Sequence, residues 1–163
     1  MDRIELPGTD VVLEEAAAED LPALIELMSD DMLGASRDGI RSEEDRQRYE
    51  RAFAAIDDDP AHLLVVGRLE GEAVATLQLI VTPSIARRGA FRAVIESVRV
   101  SSSLRSQGIG AALVRWAVEE ARRRGCDMVQ LTSDKQRKDA HRFYERLGFE
   151  RSHEGFKLML GTA

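Results

Sequence analysis

The apolar positions along the chain change period in one place, and the change organises the rest. Residues 93–100, AVIESVRV, are β-branched or alternating and predict a strand. A glycine-bearing turn follows at 105–110. Beyond it Leu113, Val114, Ala117, Val118 and Ala121 recur at helical spacing, with Arg115, Glu119, Arg122 and Arg123 on the other face. The stretch 93–124 thus reads as strand, glycine turn, helix. Upstream, 11–15 predicts a short strand. Leu21, Leu24, Ile25, Met28 and Met32 predict a helix with Asp20 as N-cap and Pro22 in its first turn. Residues 34–42 form a polar loop, and 43–56 a charged helix opened by a capping box of Ser42 and Asp45. Strands at 62–69 and 72–81 meet in a tight hairpin at Glu70-Gly71, and 83–89 is a loop carrying Arg87 and Arg88. Downstream come a buried strand at 128–132, a helix at 136–146 stopped by Gly148, and strands at 149–151 and 155–160. Pattern alone predicts a mixed α/β or α+β fold.

Length and charge narrow the class. A chain of 163 residues with no repeat or linker reads as one domain, residues 1–163. Lys and Arg number 23 against 29 Asp and Glu, a net charge of −6 that argues against a nucleic-acid partner. The lone Cys126 excludes an internal disulfide and fits a reducing compartment. The segment MDRIELPGTD has no apolar core of a signal peptide, and no apolar run approaches a membrane span. A soluble, cytoplasmic protein is expected.

Strand, glycine turn and helix N-terminus in that order can cradle a pyrophosphate. The first helical N–H groups have no partner within the helix, and the helix dipole adds partial positive charge there. A P-loop would need Lys-Ser/Thr after its last glycine, but Ala111-Ala112 follow Gly110. A dinucleotide fingerprint would need a third Gly or Ala where Leu113 stands. Arg105-Ser106-Gln107-Gly108-Ile109-Gly110 instead resembles the Arg/Gln-x-x-Gly-x-Gly/Ala signature of the GNAT acyl-CoA N-acyltransferase superfamily. Downstream, Ala140, Phe143, Tyr144, Gly148 and Phe149 resemble its Ala-x-x-Phe-Tyr-x-x-x-Gly-Phe. The order of predicted elements is the one that fold uses, so the resemblance spans nearly the whole chain. It implies a central mixed sheet of about six to seven strands with about four helices. It also implies acetyl-CoA as co-substrate and transfer of its acetyl group to a primary amine.

That reaction needs a base for the ammonium, a donor for the charge growing on the thioester oxygen, and an acid for the departing thiolate. Glu96 lies in the central strand, where strict alternation puts Val94, Val98 and Val100 on its side. A carboxylate among valines is costly unless used or paired. The resemblance makes Glu96 the general base, directly or through water; the plainer reading pairs it with Arg92 or Arg99. The resemblance makes the Val98 N–H the donor to the acyl carbonyl and has Val100 pair with the pantetheine arm. Tyr144 shares a helix face with Ala140, Phe143 and Leu147 and could be a core tyrosine; the resemblance makes it the acid. The cofactor would be held by Val98, Arg99, Val100, Arg105, Ser106, Gln107, Gly108, Ile109, Gly110, Ala111, Arg137, Ala140 and Phe143. Arg137 stands where relatives often carry Asn, and Ser102 where proline is common. His141 and His153 do not have a metal-ligand spacing.

By the same resemblance the acceptor would enter between the loop joining the first two helices and the loop between the third and fourth strands. Those segments offer Arg37, Arg41, Arg87 and Arg88, beside Asp30, Asp31, Glu43 and Glu44. Arginines there suit an acidic acceptor. They could equally serve solubility or a subunit interface, which leaves room for a homodimer. The run 131–144 is similar to the aminoalkylphosphonate N-acetyltransferase branch. Two alternatives stay open: an acyl-CoA-binding sensor or interaction module, and a protein or peptide amine acetyltransferase.

Overall fold

The computed structural model describes residues 1–30 and 32–160, leaving aside the side chains of Met32 and Leu33. The chain divides into two compact units, Met1–Gln130 and Leu131–Ala163. A mixed sheet runs β1 (Ile4–Glu5), β2 (Val12–Glu15), β3 (His62–Leu69), β4 (Glu72–Pro83), β5 (Phe91–Val100), β6 (Met128–Leu131), each beside the next. The pairings from β1 to β5 are antiparallel. The helices are α1 (Leu21–Ser29), α2 (Met32–Arg37), α3 (Glu43–Asp57), the single turn α4 (Ala86–Gly89), α5 (Ile109–Arg123) and α6 (Lys138–Arg146). The expected class, a mixed sheet with four helices of two turns or more, is the one observed.

The β3–β4 hairpin shows why the central sheet forms. Glu70 and Gly71 have φ of 52° and 92°, the paired left-handed turn that matches strand twist. The alternation then sorts two faces. Leu63, Val65, Leu77, Leu79, Ala93 and Ile95 are all at most 3% exposed and lie on the face where α5 packs against β4 and β5. On the other face Val66 joins Ala16, Leu24 and Phe53 in a core under α1 and α3. Thr76 is fully buried in the same sheet, and its hydroxyl donates to the Val65 carbonyl at 2.8 Å, so its burial leaves no donor unpaired. Trp116, absent from the predicted apolar stripe of α5, is buried with it.

Several predicted elements change. The first helix ends at Ser29 instead of running through Met32, and α2 occupies part of the predicted loop. The elbow relies on Gly34, where an added Cβ would lie 2.0 Å from the Met28 carbonyl oxygen. Asp20 does not cap α1; its carboxylate accepts the Ala17 N–H and pairs with Arg68, which also holds Glu14. The capping serine is as expected, with Ser42 Oγ accepting the Asp45 N–H at 3.1 Å, but the Asp45 carboxylate reaches Arg41 N–H at 3.0 Å. In the second unit α6 ends at a left-handed Gly148, φ 90°, as predicted. The strands expected at 149–151 and 155–160 are absent: 151–160 has no regular structure and is exposed, Phe156 and Leu158 included. Alternation there is a strand pattern with no ladder to join.

Candidate active site

The site begins with one surplus residue in β5. Its ladder to β4 runs Val94↔Ile80 and Glu96↔Gln78, then resumes at Arg99↔Thr76 and Val100↔Ala75. Three steps on β5 match two on β4, which is a β-bulge at Ser97-Val98, and Ser97 takes the left-handed φ of 56°. Neither residue of the bulge has a partner in the β4 register. The bulge corrects the alternation read from sequence. Arg99, opposite Thr76, shares the face of Glu96 and Gln78, while Val100 turns to the face of Ile95.

Glu96 is exposed, not packed among valines, and among the described residues it makes no hydrogen bond or ion pair. The plainer reading therefore fails: neither Arg92 nor Arg99 pairs with it. Arg99 donates to the Val98 carbonyl at 2.9 Å. Gln78, directly across from Glu96, is engaged with His62 Nδ1 at 2.8 Å. Arg92 lies further along the same face, opposite Thr82, with a buried Nε that has no partner among the described residues. A carboxylate with no partner among the described residues, beside an interrupted ladder, is placed to take a proton from an ammonium.

The turn after β5 is shaped for an anion. A 3-10 turn, Ser102–Leu104, leads to Ser106 with φ 66° and Gly108 with φ 87°, and α5 starts at Ile109. No side chain caps α5, so the N–H groups of its first turn have no partner from a capping side chain. A Cβ built on Gly108 would meet nothing within 4 Å. The space beside that backbone is open, and the left-handed conformation disfavours any side chain that would fill it. Ser106 to Ala111 are therefore fit to hold a pyrophosphate. Arg105 is spent differently from expectation: its Nη2 donates to the Asp30 carbonyl at 2.8 Å and its Nε to the Val100 carbonyl at 3.4 Å.

In the second unit, Arg137 precedes α6, which carries Ala140, Phe143 and Tyr144. Tyr144 stands edge-on to Phe143 at 5.0 Å and to Phe149 at 5.9 Å. His141 fixes the start of the helix by donating Nε2–H to the Asp134 carbonyl at 2.9 Å. Among the described residues no cluster of His, Cys, Asp or Glu is arranged to hold a metal, and no helix is long and apolar enough to cross a membrane. A cleft of about 470 Å³ between α1 and α3, lined by Leu21, Ile25, Tyr49 and Phe53, contains none of the predicted site residues.

The acceptor-side candidates scatter. Asp31 lies outside the described residues. Glu43 and Glu44 pair with Arg46 and Arg48 along α3, and Arg41 folds back to the Ala35 carbonyl. Arg87 and Arg88 sit at the hairpin tip. From Phe91, just past that tip, to Glu96 is five strand residues, about 17 Å. Asp30, read as an acceptor contact, is bonded to Ser102 instead. Sequence reasoning missed the bulge. Its signal was available: strict alternation would put Ala93, Ile95, Ser97 and Arg99 on one face, and neither face would stay apolar to Val100.

Residues 21–149 match the acetyltransferase (GNAT) family, a span that holds the bulge, the glycine turn and α6. The chain belongs to that family. As a GNAT acetyltransferase it is an acetyl-CoA-dependent N-acetyltransferase, with acetyl-CoA as co-substrate. It is 33% identical over 121 residues to the aminoalkylphosphonate N-acetyltransferase of Salmonella typhimurium, covering 74% of this chain and 78% of that one. A glucosamine 6-phosphate N-acetyltransferase of Trypanosoma brucei brucei is 38% identical over 84 residues, 52% of this chain and 54% of that one. Among solved structures, a protein described as a transcriptional regulator from Bacillus halodurans superposes with a TM-score of 0.87 at 45% identity, covering 92% of this chain and 99% of that one.

Proposed function

We propose that this acetyltransferase acetylates the primary amine of a small acceptor that also carries an anionic group. The observation that carries the reading is the uncommitted Glu96 carboxylate at the bulge, with Arg99 and Arg92 on the same strand face. A carboxylate suits an ammonium and a guanidinium suits a phosphonate, phosphate or carboxylate. The named acceptors of the two curated relatives fit that pattern, one an aminoalkylphosphonate and the other an amino-sugar phosphate. The family match runs across the boundary between the two units, which supports their acting as one domain.

In this reading acetyl-CoA supplies an activated thioester acyl group. Ser106 to Ala111 would hold its pyrophosphate and Val100 would pair with the pantetheine arm; the family resemblance adds Arg137, Ala140 and Phe143 as cofactor-side residues. Glu96 takes a proton from the acceptor ammonium, so the nitrogen lone pair can form the new C–N bond. The Val98 N–H donates to the acyl oxygen as charge builds there, an effect worth ~10²–10³-fold in rate for one such donor. Tyr144 gives its proton to the sulfur as the C–S bond breaks, and the second proton leaving the nitrogen restores the phenol. The enzyme works in the cytoplasm; its subunit number does not enter the mechanism.

An acceptor panel read by thiol release tests this. Aminoalkylphosphonates and other acidic amines should outpace polyamines, aminoglycosides and a peptide N-terminus. Glu96→Gln should flatten the rise of kcat/KM with pH while sparing acetyl-CoA affinity. Arg99→Ala should raise KM for acidic amines and leave neutral ones alone. A preference for polyamines would overturn the anionic assignment. If no amine releases thiol while acetyl-CoA still binds tightly, the sensor reading takes over.

A further inference from the structure

We infer that Asp30 is a positioning residue for the cofactor turn, holding it in shape from the far side of the sequence. Asp30 closes α1, yet its contacts lie in the loop between β5 and α5, more than seventy residues away. One carboxylate oxygen accepts the Ser102 backbone N–H at 2.6 Å, the other accepts the Ser102 hydroxyl at 3.0 Å, and the Asp30 carbonyl accepts Arg105 Nη2 at 2.8 Å. Arg105 also stands 3.9 Å from the carboxylate and reaches back to Val100. Both ends of the segment 102–105 are therefore tied to one residue, which is half-buried.

The segment needs the tie. It contains no buried residue of its own, and it must deliver Ser106 and Gly108 in left-handed conformations just before α5. Its local support is a turn bond from Leu104 N–H to the Ser101 carbonyl at 2.9 Å and an exposed hydroxyl contact between Ser101 and Ser103 at 3.0 Å. An untied loop would sample other conformations, and binding would have to restore the order that Asp30 supplies in advance. The inference rests on the reading that Ser106 to Ala111 hold the pyrophosphate. It assigns Asp30 no contact with the acceptor or with the reacting atoms.

Calorimetry with acetyl-CoA separates the two claims. Gly108→Val should abolish binding if the turn is the pyrophosphate site; wild-type affinity in that variant would remove the foundation. With that loss in hand, Asp30→Ala should weaken acetyl-CoA about tenfold and raise its KM by the same factor, while kcat at saturating acetyl-CoA and the acceptor KM stay within about twofold. Asp30→Asn, whose amide can accept from the N–H and donate to the hydroxyl, should bind within about twofold of wild type. Ser102→Pro, added to Asp30→Ala, should recover most of the loss, because proline fixes φ at the first residue of the turn. A general loss of stability would lower melting temperature and active fraction without this division between the two KM values. If Asp30→Ala does not fold, Ser102→Gly loosens the same turn with Asp30 in place and should show the same weakening. Wild-type affinity in Asp30→Ala, or an equal loss in Asp30→Asn with no recovery by proline, overturns the inference.

Discussion

At the tip of the β4–β5 hairpin Arg87 and Arg88 hold φ of 53° and 62°, and within β5 Ser97 holds 56°. The three residues share a conformation that costs a non-glycine side chain about 1–2 kcal/mol. Their consequences differ in reach. At the tip the turn closes on itself, with Ser84 N–H to the Ala90 carbonyl at 3.0 Å and Ala90 N–H to the Ala86 carbonyl at 3.3 Å, and strand pairing resumes unchanged. In the ladder the left-handed residue adds one position, and the residues after it exchange faces. Arg99 comes to the face of Glu96 for that reason alone. Within this hairpin, strain marks the site only where it redirects the strand beyond it.

Deleting Ser97 gives the strongest test of that contrast. An uninterrupted ladder would pair the backbone at Val98 with Leu77 and leave Arg99 opposite Thr76, on the face of Glu96, so the deletion isolates the unpaired main chain of the bulge. Steady-state thiol release should show kcat/KM lower by ~10²-fold or more, the scale of losing one oxyanion donor. Far-UV circular dichroism should still report a folded protein, and near wild-type turnover would mean that the bulge is incidental. At the tip, replacing Arg87 and Arg88 together by Gly should leave kcat/KM for acidic amines within about twofold. Thermal melting should show equal or slightly higher stability, up to ~1 kcal/mol per relieved residue. A rise in KM for acidic amines alone would bring the tip back into acceptor recognition.

The smallest effect lies outside the hairpin, at the start of α3. The Asp45 carboxyl is held below its usual pKa, first by the Arg41 backbone N–H and then, against a desolvation cost, by Ser42. A depressed pKa means stability that is present above the unfolded value and lost as pH falls through the folded one. Asp45→Asn should therefore remove a small part of the acid-limb slope of melting temperature below about pH 4 and leave the neutral range alone. No change in that limb would show the contact to be energetically idle.

The central strands and helices were legible because alternation and helical spacing coincide with burial. β3 carries its predicted bounds, and α5 buries five small or apolar positions on one stripe along with Trp116 and Ile109. The glycine turn was legible for a different reason: Gly108 needs the left-handed region, and a short motif can encode that. The bulge was not read, because period-two counting assumes an unbroken ladder. The role of Asp30 was hidden more completely. Its partners are a backbone N–H and a hydroxyl seventy residues on, and neither leaves a periodic trace. The closing strands failed in the opposite sense, since the pattern at 155–160 is sound but pairing depends on an available neighbour.

If Val98 donates through its main chain, the group that meets the growing negative charge belongs to no side chain. An alanine scan of β5 would register Glu96 and pass over position 98, because Val98→Ala keeps the same N–H in the same bulge. Sequence drift at that position is then chemically silent as long as the backbone path survives. The protein is correspondingly open to substitution at 98 and closed to insertion or deletion anywhere between Glu96 and Arg99. An amide-to-ester exchange at position 98, which swaps the N–H for oxygen and leaves the side chain alone, is the edit that would expose it.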